Sequence, residues 1–138
     1  MAPNLADCHP SLLSRFKRVQ EVAASLGLMI EPTQGLRSIA EQDALWAQGR
    51  TKPGLIVTNA RGLQSFHCHG RAIDFAFRTS EGKLSWDDKL PWRLIGEIGK
   101  QCGLEWGGDW KRPDRPHFQY VADGFTLPTV KPAPILVG

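Results

Sequence analysis

Two short stretches of the chain carry residue types that can hold a divalent metal. One runs Ser65-Phe66-His67-Cys68-His69-Gly70-Arg71-Ala72-Ile73-Asp74, the other Asp114-Arg115-Pro116-His117-Phe118. Two histidines and a carboxylate make a three-ligand shell of the kind zinc accepts. Such a shell leaves a fourth position for water, which is what hydrolysis requires. His67 and Asp74 lie either side of Gly70. A chain can leave the first ligand, turn at the glycine and return along a strand to present the second. Asp114 precedes His117 by one short turn, from where a carboxylate can take the proton of that water.

Spacing leaves rival readings open. Cys68 and His69 are also zinc-ligand types. In an extended segment His69 shares a face with His67, as a substrate contact in a cleft or as a plain exposed histidine, while Cys68 faces away. Asp114, between Pro113 and Pro116, also reads as a turn aspartate in a loop stiffened by prolines. Arg37 is either a solvated arginine at a helix start or a fixed positive charge for a substrate carboxylate or an oxyanion. Trp106 and Trp110 flank Gly107-Gly108. Trp106 is expected in the core and Trp110 on the floor or wall of a cleft, and His9 is assigned no role.

The elements that must position these groups follow from periodicity. Leu12, Phe16, Val19, Ala23 and Leu26 recur at helical spacing and predict a helix over 11–26, with Pro10 at its first turn and Gly27 at its stop. The apolar run 28–30 predicts a short strand. Ser38 and Glu41 form a capping box that opens a second helix through Trp46, stopped near Gly49. Residues 50–64, with Pro53, Gly54, Asn59 and Gly62, predict a long irregular loop, a feature often functional. Residues 71–77 alternate as a strand: Ile73, Phe75 and Phe77 point one way, Ala72, Asp74 and Ala76 the other. Residues 80–89 read as a polar turn region. A third helix spans 91–102, with Leu94, Ile95, Ile98 and Cys102 on one side. Residues 117–121 predict a strand with His117 and Gln119 on one face, and a tail from Pro128 with Pro132 and Pro134 is expected extended on the surface.

Composition bounds the rest. The chain has 138 residues, of which 41% are hydrophobic, enough for one domain with one core. A net charge of +3 carried by scattered basic residues implies no nucleic-acid groove. Three cysteines without a CxxC spacing read as free thiols in a reducing compartment. The start lacks a basic segment followed by an apolar run, and no stretch is apolar for the ~18 residues a bilayer span needs. A monomer made in the cytoplasm without a signal peptide is expected.

At these residues the chain resembles the zinc D,D-carboxypeptidase and L-alanyl-D-glutamate peptidase family, whose members cut bacterial peptidoglycan stem peptides. The pattern Ser-x-His-x-x-Gly-x-Ala-x-Asp is met by Ser65, His67, Gly70, Ala72 and Asp74. The later acid-x-x-His is met by Asp114 and His117, and Gly-x-Arg-Ser by Gly35, Arg37 and Ser38. Leu36 departs from the aromatic residue usual before the arginine. The runs 49–54, 57–61 and 106–110 resemble the phage endolysin branch. The resemblance implies an α+β fold, with a small, mainly antiparallel sheet, helices against it and zinc in a surface cleft, as in the hedgehog-like relatives. It implies His67, Asp74 and His117 as zinc ligands, Asp114 as general base and Arg37 as the group that holds or polarises substrate. Ser65 would hydrogen-bond a ligand or the substrate; Trp110 and His69, by their positions alone, remain candidate substrate contacts. It implies hydrolysis of the L-Ala–D-Glu bond for host lysis, with a separate holin giving access to the periplasmic wall. A D-Ala–D-Ala carboxypeptidase or dipeptidase is the rival on the same scaffold, and a non-catalytic wall-binding protein the rival of another class.

Overall fold

The computed structural model describes residues 2–128. Three helices are present: α1 (Pro10–Ser25), α2 (Ile39–Ala47) and α3 (Trp92–Gln101). Five strands are also present, β1 (Ile30–Gln34), β2 (Ala72–Arg78), β3 (Leu84–Ser85), β4 (Glu105–Trp106) and β5 (His117–Gln119). The strands form one sheet in the order β1-β2-β5-β4, with β3 also paired to β2, and every pairing is antiparallel. The expected α+β architecture is therefore the observed one. The C-terminal prolines Pro132 and Pro134 lie outside the described residues.

The period of β2 divides the molecule into two sides. Ile73, Phe75 and Phe77 are buried on one face, where they meet Phe16 of α1, Trp92 of α3 and Phe118 of β5. Phe75 and Phe118 stack at 5.0 Å. Asp74 projects from the opposite face between two buried small residues, Ala72 and Ala76. The alternation of a strand thus hangs the core on one side and the polar cluster on the other.

Helices α1 and α2 start where the sequence provides a side-chain cap, whereas α3 follows Pro91 without one. His9 accepts a hydrogen bond from the Ser11 backbone N–H at 3.1 Å, so this histidine, given no role above, caps α1 ahead of Pro10. Ser38 Oγ accepts from the Glu41 N–H at 3.0 Å, and the Glu41 carboxylate accepts from the Ser38 N–H at 3.1 Å, completing the capping box of α2.

Four expectations are corrected. The first strand covers Ile30–Gln34 rather than 28–30. It includes Pro32 because β1 is an edge strand, where a missing N–H costs no ladder bond. The polar region 80–89 contains β3, too short to show alternation. On α3, Leu94 is exposed, and the inward face is Trp92, Ile95, Gly96, Ile98 and Gly99. The two glycines admit the Trp106 and Phe118 rings, which a Cβ would strike, so the packing face follows space rather than hydropathy. Finally, Phe66–His69 is a 3-10 turn, not an extended segment, so alternation does not decide which way Cys68 and His69 point.

Candidate active site

Strand register assembles the site. Asp74 on β2 lies opposite His117 on β5 and opposite Gln34 on β1. His67 arrives from the 3-10 turn just before β2. Ser65 starts that turn by accepting from the His67 N–H at 3.3 Å. Gly70 ends it in the left-handed region at φ 65°, which a side-chain-bearing residue adopts only with strain. His67 Nε2 and His117 Nδ1 each lie 3.1 Å from Asp74 Oδ1. The ligand atoms of the three residues fall within 4.8 Å of one another.

The outer nitrogens fix how the rings present themselves. His67 Nδ1 is 3.0 Å from the Gly35 carbonyl, which only accepts, so the proton belongs on Nδ1 and the Nε2 lone pair turns toward Asp74. His117 Nε2 is 2.8 Å from Gln119 Oε1. Gln119 donates its amide to Glu105 Oε1 at 3.1 Å, and the same oxygen accepts from Trp110 Nε1 at 3.0 Å. A carboxylate cannot donate, so the amide orientation is set and His117 Nδ1 is left with its lone pair inward. Two imidazole lone pairs and a carboxylate thus converge on one point, an arrangement that requires positive charge between them. The donor set fits a divalent cation, with ligands oriented by outer partners.

Charge within the cluster is consistent with that demand. Burial alone would raise the Asp74 carboxyl, but the adjacent His117 and His67 rings outweigh it and hold the group well below the usual carboxylate range. Burial disfavours the charged His117 ring, yet Asp74, Gln119 and Asp114 together push its pKa up. A bound cation would supply the positive charge that the carboxylate and the two ring lone pairs face.

Asp114 sits beside this triad rather than in it. Its Oδ2 is 3.7 Å from His117 Nδ1 and the side chain is half exposed at the cleft rim. Loss of hydration against the wall raises its carboxyl above the usual range. The loop comes this close because the Asp114 N–H donates to the Gly107 carbonyl at 2.8 Å, and a Cβ on residue 107 would strike the Asp114 carbonyl oxygen. Arg37 is not solvated. Its backbone N–H donates to the His67 carbonyl, Nη2 lies 3.8 Å from Asp74 Oδ2, and Nη1 donates to Gln42 Oε1 at 2.8 Å. Gln42 is 1% exposed and donates to the Ala60 carbonyl, tying Arg37 to the long loop.

The resulting cleft has a volume of about 550 Å³. Arg37, Gln42, Ser65, His67, Asp74, Trp110, Asp114 and His117 all line it. Trp110 packs with its ring 5.0 Å from that of His117. His69 does not line the cleft: its Nε2 meets the Leu63 carbonyl at 2.8 Å and its ring packs near Phe125. Cys68 points to the Ser38 carbonyl, away from the triad. Sequence reading missed Gln42, Glu105 and the role of Gln119. A buried glutamine on a helix leaves no signature, whereas Gln119 was already on the His117 face of its strand.

Comparison with known proteins agrees with this geometry. Residues 58–120 match the family model described as D-alanyl-D-alanine carboxypeptidase. The chain is 43% identical over 128 residues to the peptidoglycan L-alanyl-D-glutamate endopeptidase CwlK of Bacillus subtilis, covering 86% of this chain and 77% of that protein. The fold matches the L-Ala D-Glu endopeptidase ChiX of Serratia marcescens with a TM-score of 0.67 and 26% identity, over 88% of this chain and 86% of that one. It also matches the vancomycin resistance D,D-pentapeptidase VanY in complex with Zn(II), with a TM-score of 0.62 and 17% identity over 83% of this chain and 72% of that one. The converging ligands and this similarity lead to one conclusion: the chain belongs to the metallopeptidase family that contains the D-alanyl-D-alanine carboxypeptidases and the L-alanyl-D-glutamate endopeptidases.

Proposed function

We propose that this protein is a zinc peptidase that hydrolyses the L-Ala–D-Glu bond of peptidoglycan stem peptides. The observation that carries the reading is the convergence of His67, Asp74 and His117 on one point with the Asp114 carboxylate 3.7 Å from His117. The similarity to CwlK and ChiX supports the choice of bond.

His67 Nε2, the Asp74 carboxylate and His117 Nδ1 would hold the zinc, which when bound supplies a Lewis acid that polarises the scissile carbonyl and makes a water acidic. Asp114 accepts the proton of the attacking water, and its raised pKa suits it to deliver that proton to the leaving amine. Arg37, held in place by Gln42 and Asp74, sets fixed positive charge where the oxyanion develops. Ser65 holds the His67 backbone, and Trp110 forms the wall against which the substrate lies.

The chain acts in this reading as a single catalytic domain and a monomer. The runs 49–54, 57–61 and 106–110 support a phage endolysin role, in which the enzyme reaches the wall of a Gram-negative host with the help of a holin. None of the described helices is long and apolar enough to cross a membrane.

Mass spectrometry of muropeptides from purified sacculi, digested with and without a chelator, tests the assignment. Stem peptides beginning at D-Glu, absent when the chelator is present, are the expected products. Loss of terminal D-Ala alone would move the enzyme to the carboxypeptidases, and zinc binding without any cleavage would leave a wall-binding role.

A further inference from the structure

Beyond the metal cluster the cleft does not end. A second basin of about 700 Å³ adjoins it, sharing Trp110, Asp114 and the loop residues Val57, Thr58 and Ala60, and adding Ile56, Asn59, Arg112 and Pro113. Asp114 therefore stands on the boundary between the two. All three metal ligands and Arg37 line only the first basin; Arg112 lines only the second. A base that returns its proton to the leaving amine must lie within reach of that amine. The residue carrying the carbonyl then belongs beside Arg37 and the ligands, and the residue carrying the leaving amine belongs beside Asp114, facing the second basin.

That basin holds one cation. Arg112 is exposed, and its guanidinium has no hydrogen bond or ion pair among the described residues, whereas the nearby Arg115 is tied to Asp88. Its backbone is constrained on both sides. Trp110 is anchored to Glu105, and Pro113 restricts the preceding residue to extended conformations. In stem peptides D-Glu continues through its γ-carboxyl, so its α-carboxylate remains free next to the scissile nitrogen. An arginine fork matches a carboxylate with two parallel hydrogen bonds.

We propose that the second basin is the subsite for the leaving side of the substrate and that Arg112 is its specificity-determining residue, binding the free α-carboxylate of D-Glu. The inference rests on the L-Ala–D-Glu reading given above. The open basin leaves room for the chain to continue beyond that residue, as internal cleavage requires.

The test uses two synthetic stem peptides that differ only in carrying an α-carboxylate or an α-carboxamide on the D-Glu residue. Cleavage by the zinc-loaded wild type, Arg112→Gln and Arg112→Lys is followed by chromatography of the released products. The wild type is expected to favour the carboxylate by about tenfold in kcat/KM. Arg112→Gln should lose that preference by slowing only on the carboxylate, chiefly through KM, and Arg112→Lys should recover part of it. Equal slowing of Arg112→Gln on both peptides, or a wild type with no preference, would overturn the subsite. A zinc-loaded wild type that cleaves neither peptide would instead overturn the peptidase reading, and the subsite with it.

Discussion

The two walls of the cleft are built on different principles. On one side the candidate metal ligands stand on paired strands and a capped turn, with both histidines buried and each outer nitrogen held by a partner. On the other, residues 50–61 form an irregular loop whose Leu55, Ile56 and Val57 are 84%, 57% and 58% exposed. The loop is fastened at a few points, by Arg50 to the Trp46 and Thr58 carbonyls and by Gln42 to Ala60. The contrast separates tasks. Ligand geometry tolerates little displacement and is mounted on the sheet, while substrate contacts can vary on a loop without disturbing the chemistry.

The contrast predicts large effects on the strand side and small ones on the loop. His117→Ala removes a ligand and should weaken zinc binding by about a thousandfold or more, with cleavage falling to background; competition against a chromophoric chelator measures the first. The core beneath the same strands should respond in stability. Phe75→Ala, at a fully buried ring, should cost about 3–5 kcal/mol in denaturant unfolding. Gln119→Met leaves the ligands in place but releases His117 Nε2, and should lower zinc affinity by about 10- to 100-fold while the fold is kept. At the far end of the scale, Leu55→Ala should change stability by less than about 0.5 kcal/mol and leave zinc affinity untouched. A loop substitution that weakened zinc as much as Gln119→Met would erase the distinction between the walls.

The sequence was legible where one local rule decided the outcome. The alternation of residues 71–77 predicted which side of β2 is core and which carries Asp74, and the capping box placed the start of α2. The grouping of His67, Asp74 and His117 as candidate ligands drew on resemblance, because seven-residue and three-residue spacings recur by chance. What it hid depended on packing between distant segments. Gly96 and Gly99 turned α3 so that Leu94 faces solvent, since two aromatic rings from β4 and β5 needed the space. His69 was read by an extended-chain rule that the 3-10 turn cancels. Gln42 and Glu105 matter through partners 18 and 14 residues away, a distance no local pattern encodes.

The central claim is that the ligands bind metal while Asp114, outside their shell, moves the proton. Turnover of the L-Ala–D-Glu bond by Asp114→Asn, at a zinc content verified by native mass spectrometry, tests it most directly. One zinc per chain and a rate reduced by about a thousandfold or more, in the upper part of the general-base range, are expected. Turnover equal to wild type at full zinc occupancy, or loss of the zinc with the carboxylate, would contradict it.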